Sequence, residues 1–172
     1  MYQDPAMAIP PAEIQERLAR FKAAIRRAGV KLTHQRLEIF AEVARTGEHP
    51  DAETIYRKVR QRVTTVSLDT VYRTLWLLLD LGLLSTLGLP RARVRFDANL
   101  RRHHHFVCTA CGLARDFYSP AFDALAVPAA VKALGRVERT VVEFRGRCAR
   151  CARKRKGKGA PAIPPRKKTG AP

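Results

Sequence analysis

Residues 67–82 read SLDTVYRTLWLLLDLG, and residues 83–87 then read LLSTL. Ser67 is an N-cap type, and Val71, Leu75, Leu78 and Leu79 recur at helical spacing up to Gly82, which suits a helix end. A helix is therefore expected from Leu68 to about Leu81. Past Gly82 the period shortens. Leu83–Leu87 and Arg93–Phe96 have the pattern of two strands, joined by a turn through Gly88 and Pro90.

Working back toward the N-terminus, three more helices are expected. Residues 13–28 carry Ile14, Leu18, Phe21 and Ile25 on one face and end at Gly29. Thr33 caps a second helix through Leu37, Phe40 and Val43 to about Arg45, and Asp51 caps a third containing Ile55, Tyr56 and Val59. Helices followed by a basic hairpin describe a winged helix-turn-helix over 12–96, with residues 1–11 as a flexible N-terminus. The fourth helix would enter a DNA groove and the hairpin would be the wing.

Toward the C-terminus, Asp97–Arg102 reads as a hinge, and residues 103–152 as a small α/β domain, making the whole chain α+β. His103–Cys108 and Leu113–Tyr118 are strand-like, and Phe122–Leu134 is expected to be a helix shortened or kinked by Pro128. Val137–Phe144 reads as a third strand. The tail from Arg153 is rich in Lys, Arg, Pro and Gly and is expected to be disordered.

The 33 Lys and Arg against 15 Asp and Glu give a net charge of +18. Eight of the basic residues lie at or after Arg153 with no acid among them, so the first 152 residues still carry +10. A body this basic favours a polyanionic partner such as DNA. Hydrophobic residues at 46% exclude wholesale disorder, and no run approaches the ~18 apolar residues of a membrane span. Met1–Pro11 lacks a basic stretch leading into an apolar core, so no signal peptide is read and a cytoplasmic location is expected.

Cys108, Cys111, Cys148 and Cys151 form two C-x2-C pairs. One such pair can occupy an edge of a tetrahedral zinc site, and four thiolates leave no open position, so a structural Zn2+ is expected, one per chain. It would clip the beginning of the second domain to its end. The competing readings are buried small hydrophobes or a redox pair.

The run His103-His104-His105 precedes the first cysteine pair. On a strand His103 and His105 share a face and His104 takes the other. With Asp97 and Asp116 they make a mixed N/O ligand set suited to Fe2+, Mn2+ or Zn2+. A solvated histidine patch is the alternative.

Taken in order, Thr33-His34-Gln35-Arg36, His49-Pro50, Ser67–Leu75, Arg95-Phe96-Asp97, His103–Gly112 and Cys148-Ala149-Arg150-Cys151 resemble the ferric uptake regulator (Fur) family over about residues 12–152. That resemblance implies a homodimeric winged-helix repressor whose second domain dimerises and whose regulatory metal bridges the two domains. Its ligands would be His49, Asp97, His103, His105 and Asp116. Aspartate at both carboxylate positions, with no histidine in 137–148, resembles the peroxide-sensing branch (PerR) more than the iron-sensing one. An iron- or zinc-responsive repressor of metal uptake is the alternative.

Five ligands would leave a six-coordinate Fe2+ one open position, and peroxide reduced there would oxidise His49 or His103 and release the metal. Mn2+ would leave the repressor bound. On the recognition helix Ser67, Thr70, Tyr72, Arg73 and Thr74 are the candidate DNA contacts to a palindromic operator, with Arg91, Arg93 and Arg95 on the wing. A solvated polar face is the other reading of those helix residues, and His34 is read as a surface residue. Two further classes compete: a non-haem iron enzyme built on His103, His105 and a carboxylate, and a zinc-ribbon nucleic-acid module. The first needs a substrate pocket and further acid or base groups, for which the chain has little room.

Overall fold

The computed structural model describes residues 9–87 and 94–155. Four helices come first: α1 (Pro11–Arg27), α2 (His34–Ala44), α3 (Ala52–Arg60) and α4 (Leu68–Asp80). The anticipated caps form. Thr33, Asp51 and Ser67 accept the backbone N–H of Arg36, Thr54 and Thr70, each satisfying an orphan donor of the first turn. α1 begins two residues earlier than expected because Pro11 fits the first helical turn, where its missing N–H costs nothing.

These helices enclose one apolar core. Phe21 of α1 stacks on Phe40 of α2 with ring centroids 4.6 Å apart, and Ile39, Ile55, Val71, Leu75 and Leu78 fill the space between α2, α3 and α4. Phe96 closes that core from β2 (Arg95–Asp97), which pairs antiparallel with β1 (Ser85–Leu87). Asp97 ends that strand, and residues 98–103 after it carry no helix or strand. The expected turn through Gly88 and Pro90, with Arg91 and Arg93, lies outside the described residues.

The second half is a three-stranded sheet in the order β4-β3-β5. β3 (His104–Cys108) pairs antiparallel with β4 (Ala114–Phe117) and parallel with β5 (Glu143–Gly146). Two expectations are corrected here. The helix over 122–134 is instead α5 (Pro120–Asp123) and α6 (Ala129–Lys132), because Pro120 starts one helix and extended Pro128 separates it from the next. The strand expected over 137–144 lies at 143–146, where it meets β3.

α7 (Ala149–Arg155) carries Cys151 and continues into 153–155, which were expected to be disordered; the rest of the tail lies outside the described residues. Apolar burial is thin in this half. Val107 and Ala114 meet Leu87 of the wing, and Phe117, Phe122 and Phe144 pack ring to ring at 5.5–6.2 Å. A core this small calls for a covalent or metal staple.

Candidate metal centre

His49 sits in the loop between α2 and α3 and is the only non-glycine residue at positive φ (50°) among the described residues. That conformation costs a side-chain-bearing residue about 1–2 kcal/mol, and it is held by its neighbours. Phe96 donates its N–H to the Pro50 carbonyl (3.0 Å), and Arg95 Nη1 donates to the His49 carbonyl (3.1 Å). His49 and Asp97 are therefore fixed to each other by backbone pairing inside the helical half.

His103, His105 and Asp116 arrive from the other half. In the β3–β4 register His105 lies opposite Asp116, and His103 immediately precedes β3. Nδ1 of His103 lies 2.7 Å from the Arg101 carbonyl, which can only accept, so Nδ1 carries a proton and the neutral ring presents the Nε2 lone pair to the cluster. Nε2 of His103 is 3.0 Å from Asp97 Oδ2 and 2.9 Å from His105 Nε2. His49 Nε2 is 2.8 Å from Asp116 Oδ1.

One ligand atom from each of the five residues lies within 4.8 Å of all the others. Bonds of about 2.1 Å around one ion put neighbouring ligands about 3 Å apart and opposite ones about 4.2 Å apart, so the spacing fits a metal. So do the orphaned atoms. Nε2 of His49, Oδ2 of Asp97 and Oδ1 of Asp116 are buried without a hydrogen bond of acceptable geometry. Unpartnered polar atoms are costly in a protein interior and here they converge on one point.

Charge follows the same logic. Burial alone would raise Asp97, but the His103 and His105 rings and the charge of His49 hold it far below the usual carboxylate range. Burial likewise opposes the lowering of Asp116, which the His49 ring brings about. His103 is raised: burial would lower it, and the Asp97 and Asp116 carboxylates outweigh that. A proton on His103 thus stands where a cation would sit.

The four cysteines form the second cluster, also within 4.8 Å and all free. Cys108 ends β3, Cys111 follows in the turn, and Cys148 and Cys151 flank the start of α7. Cys111 Sγ lies 3.8 Å from Cys148 Sγ, matching the edge of about 3.8 Å in a tetrahedron with 2.3 Å Zn–S bonds. Burial would raise the Cys108 thiol, but backbone N–H groups of Cys148, Ala110 and Cys111 bring it down to about 6. Cys151 is pushed up to about 12 by donating to Cys111 and Cys148. Cys111 is lowered too, chiefly by the Leu113 N–H.

On α4, Ser67, Tyr72 and Arg73 are exposed and Thr70 is half-buried. Arg73 pairs with Asp69 one turn earlier at 3.0 Å, a contact open to solvent and easily exchanged for another anion. Thr74 is corrected: it is 3% exposed and faces the core beside Val71 and Leu75, so it offers nothing to a groove. Arg95 is corrected as well, since its guanidinium turns inward to the His49 carbonyl rather than toward a phosphate.

Two residues escaped the sequence reading. His104 does take the face opposite His103 and His105, but it is buried between Phe117 and Phe122, with Nδ1 accepting the Val142 N–H at 3.2 Å. Its Nε2 is 3.3 Å from Asp123 Oδ1. Strand alternation gave its side but not its burial. Asn99, read only as hinge, is buried against both aspartates of the centre.

The pattern of the ferric uptake regulator family matches residues 27–136, and the chain belongs to that family. It is 34% identical to the peroxide-responsive repressor PerR of Staphylococcus epidermidis over 101 residues, 59% of this chain and 67% of that protein. It is 32% identical to PerR of Staphylococcus aureus over 114 residues, 66% and 77% of the two chains. Among solved structures, the Helicobacter pylori ferric uptake regulator superposes with a TM-score of 0.68 at 25% identity, over 81% of this chain and 93% of that one. The Campylobacter jejuni peroxide stress regulator gives 0.61 at 25% identity, over 78% and 98%. No helix among the described residues is long and apolar enough to cross a membrane.

Proposed function

We propose that this protein is a metal-dependent DNA-binding repressor that senses hydrogen peroxide through His49, Asp97, His103, His105 and Asp116. The observation that carries the reading is the convergence of five buried ligand atoms, drawn from both halves of the chain, with aspartate at both carboxylate positions. Similarity to peroxide-responsive repressors supports the same branch. The role is regulatory, not enzymatic.

The four cysteines hold a structural zinc that staples β3 to α7 and fold the second half, residues 103–152, as one unit. The five-residue centre takes Fe2+ or Mn2+. Because His49 lies in the winged-helix half (12–96), Asp97 ends the strand that closes it, and the other three belong to the second half, occupancy favours one orientation of the two halves. Leu125, Val131, Leu134, Val141 and Phe144 are exposed on the second half, Leu134 at 88%, and this apolar surface supports a homodimer. Two recognition helices held at a set separation then read a palindromic operator through Ser67, Thr70, Tyr72 and Arg73.

Bound iron would supply the reduction of hydrogen peroxide beside the ligand rings. His49 and His103 are the side chains read as taking the oxygen, and His105, whose ring nitrogen also faces the centre, is the third imidazole within reach. An oxidised imidazole is a poorer ligand, so the bridge between the halves fails and DNA is released. The test is mass spectrometry of the Fe2+-loaded protein after peroxide. One added oxygen on the peptide containing His49 or His103, absent in the Mn2+-loaded protein, is expected. Unmodified peptides with DNA binding that still follows metal would point instead to a sensor of metal supply.

A further inference from the structure

We propose that Asn99 is the positioning residue of the five-residue centre, holding one oxygen of each aspartate so that Asp97 and Asp116 each offer a metal a single oxygen. The inference rests on reading the cluster as a metal site.

Asn99 lies just past β2 and is 3% exposed. Its backbone N–H donates to Asp97 Oδ1 at 2.7 Å, the turn an aspartate makes with the residue two further on. Its side-chain Nδ2 donates to Asp116 Oδ2 at 2.7 Å and to Tyr118 Oη at 2.9 Å. Its Oδ1 accepts the N–H of Arg101 at 3.2 Å. The amide can face only this way, because an ionised carboxylate cannot donate and a backbone N–H cannot accept.

One residue therefore engages one oxygen of both carboxylates. The oxygens it leaves, Asp97 Oδ2 and Asp116 Oδ1, are the two carboxylate oxygens of the centre that are buried without a hydrogen bond, and each faces the histidines. For either aspartate to bind an ion through both oxygens, the ion must share an oxygen that already accepts a charge-assisted hydrogen bond from Asn99, which draws electron density and orientation away from the ion. Asn99 thereby favours a donor set of three nitrogens and two oxygens, which would leave one position of an octahedral ion open. Supporting groups of this kind commonly change metal affinity by about 10–100-fold when removed.

The experiment compares wild type, Asn99→Asp and Asn99→Ala in the full chain, with zinc content and far-UV circular dichroism as checks on the fold. Mn2+ affinity is measured by competition, and the visible absorption of bound Co2+ reports coordination number. Asn99→Asp keeps the volume and the Arg101 contact but puts an acceptor against Asp116. The expected order of Mn2+ affinity is wild type, then Asn99→Ala, then Asn99→Asp, with a loss of about 10–100-fold in the last and altered Co2+ bands in both variants. A residue that merely fills space reverses the two variants, with Asn99→Asp near wild type and Asn99→Ala below it, and that result overturns the proposal. Should Asn99→Asp not fold, unchanged Co2+ bands in Asn99→Ala overturn it equally. A wild-type chain that binds no ion beyond the zinc overturns the metal-site reading itself.

Discussion

His49 Nε2 lies 2.8 Å from Oδ1 of Asp116, so the loop that precedes α3 touches β4 through two potential metal ligands. This contact, with His103 Nε2 against Asp97 Oδ2 at 3.0 Å, joins the helical half to the sheet at one buried point. Each half alone holds an incomplete ligand set.

Removing His49 should therefore empty the regulatory centre and spare the zinc. His49→Asn is the more informative variant than His49→Ala, because asparagine tolerates the positive φ recorded here. Both should lower Mn2+ affinity by more than the roughly hundredfold that supporting residues contribute. Zinc should stay at one per chain. Competition titration and metal analysis check this, and wild-type Mn2+ affinity in either variant contradicts the ligand assignment.

Mn2+ affinity should rise with pH. The Asp97 and Asp116 carboxylates raise His103, so the free protein keeps that proton to a higher pH than an ordinary histidine near 6.5. The ion must displace it, so binding strengthens by up to about tenfold per pH unit until the raised value is passed, and then levels. Asp97 and Asp116 are lowered and remain ionised above about pH 4, so they add no slope near neutrality. Affinity that is flat between pH 5.5 and 8.5 would show that His103 carries no competing proton.

Zinc removal should unfold the second half selectively. Little apolar surface holds β3, β4 and β5 together, whereas the helical half keeps the Phe21–Phe40 core. Structural zinc contributes apparent binding energies of order 10 kcal/mol to small domains, more than this sheet replaces. In Cys108→Ser, hydrogen exchange should become fast over residues 104–117 and stay slow in α2 and α4. Uniform protection across both halves would rule out the staple.

Arg73→Ala and Thr74→Ala should differ on DNA. Arg73 is exposed on α4, and losing it should weaken specific binding by about 1–3 kcal/mol. Thr74 is buried, so its loss should lower thermal stability and leave affinity per folded molecule unchanged. Fluorescence anisotropy at two salt concentrations, read beside a melting curve, separates the two effects.

Much of the helical half was legible because its signals are local. Ser67, Thr33 and Asp51 cap their own helices, and an apolar face repeats within a few residues. Beyond α5 the signals competed. Residues 122–134 carry helix-forming side chains, yet Pro128 divides them, and β5 exists only where Glu143–Gly146 can pair with β3.

The sequence by itself marked the four-cysteine cluster and half of the five-residue one. Each C-x2-C pair is set by chain geometry over a few residues, and strand alternation puts His103 and His105 on one side. Tertiary structure alone decided the rest. A lone histidine before a proline has no local signature, and His49 joins the five-residue cluster because Phe96 and Arg95 fasten its loop to the strand bearing Asp97. Asn99 acquires its role from Asp116 and Tyr118, 17 and 19 residues away, and Thr74 loses its expected role to the core. The physical reason is common to all three. Which polar atom is buried, and what it faces, depends on contacts between segments that no local pattern encodes.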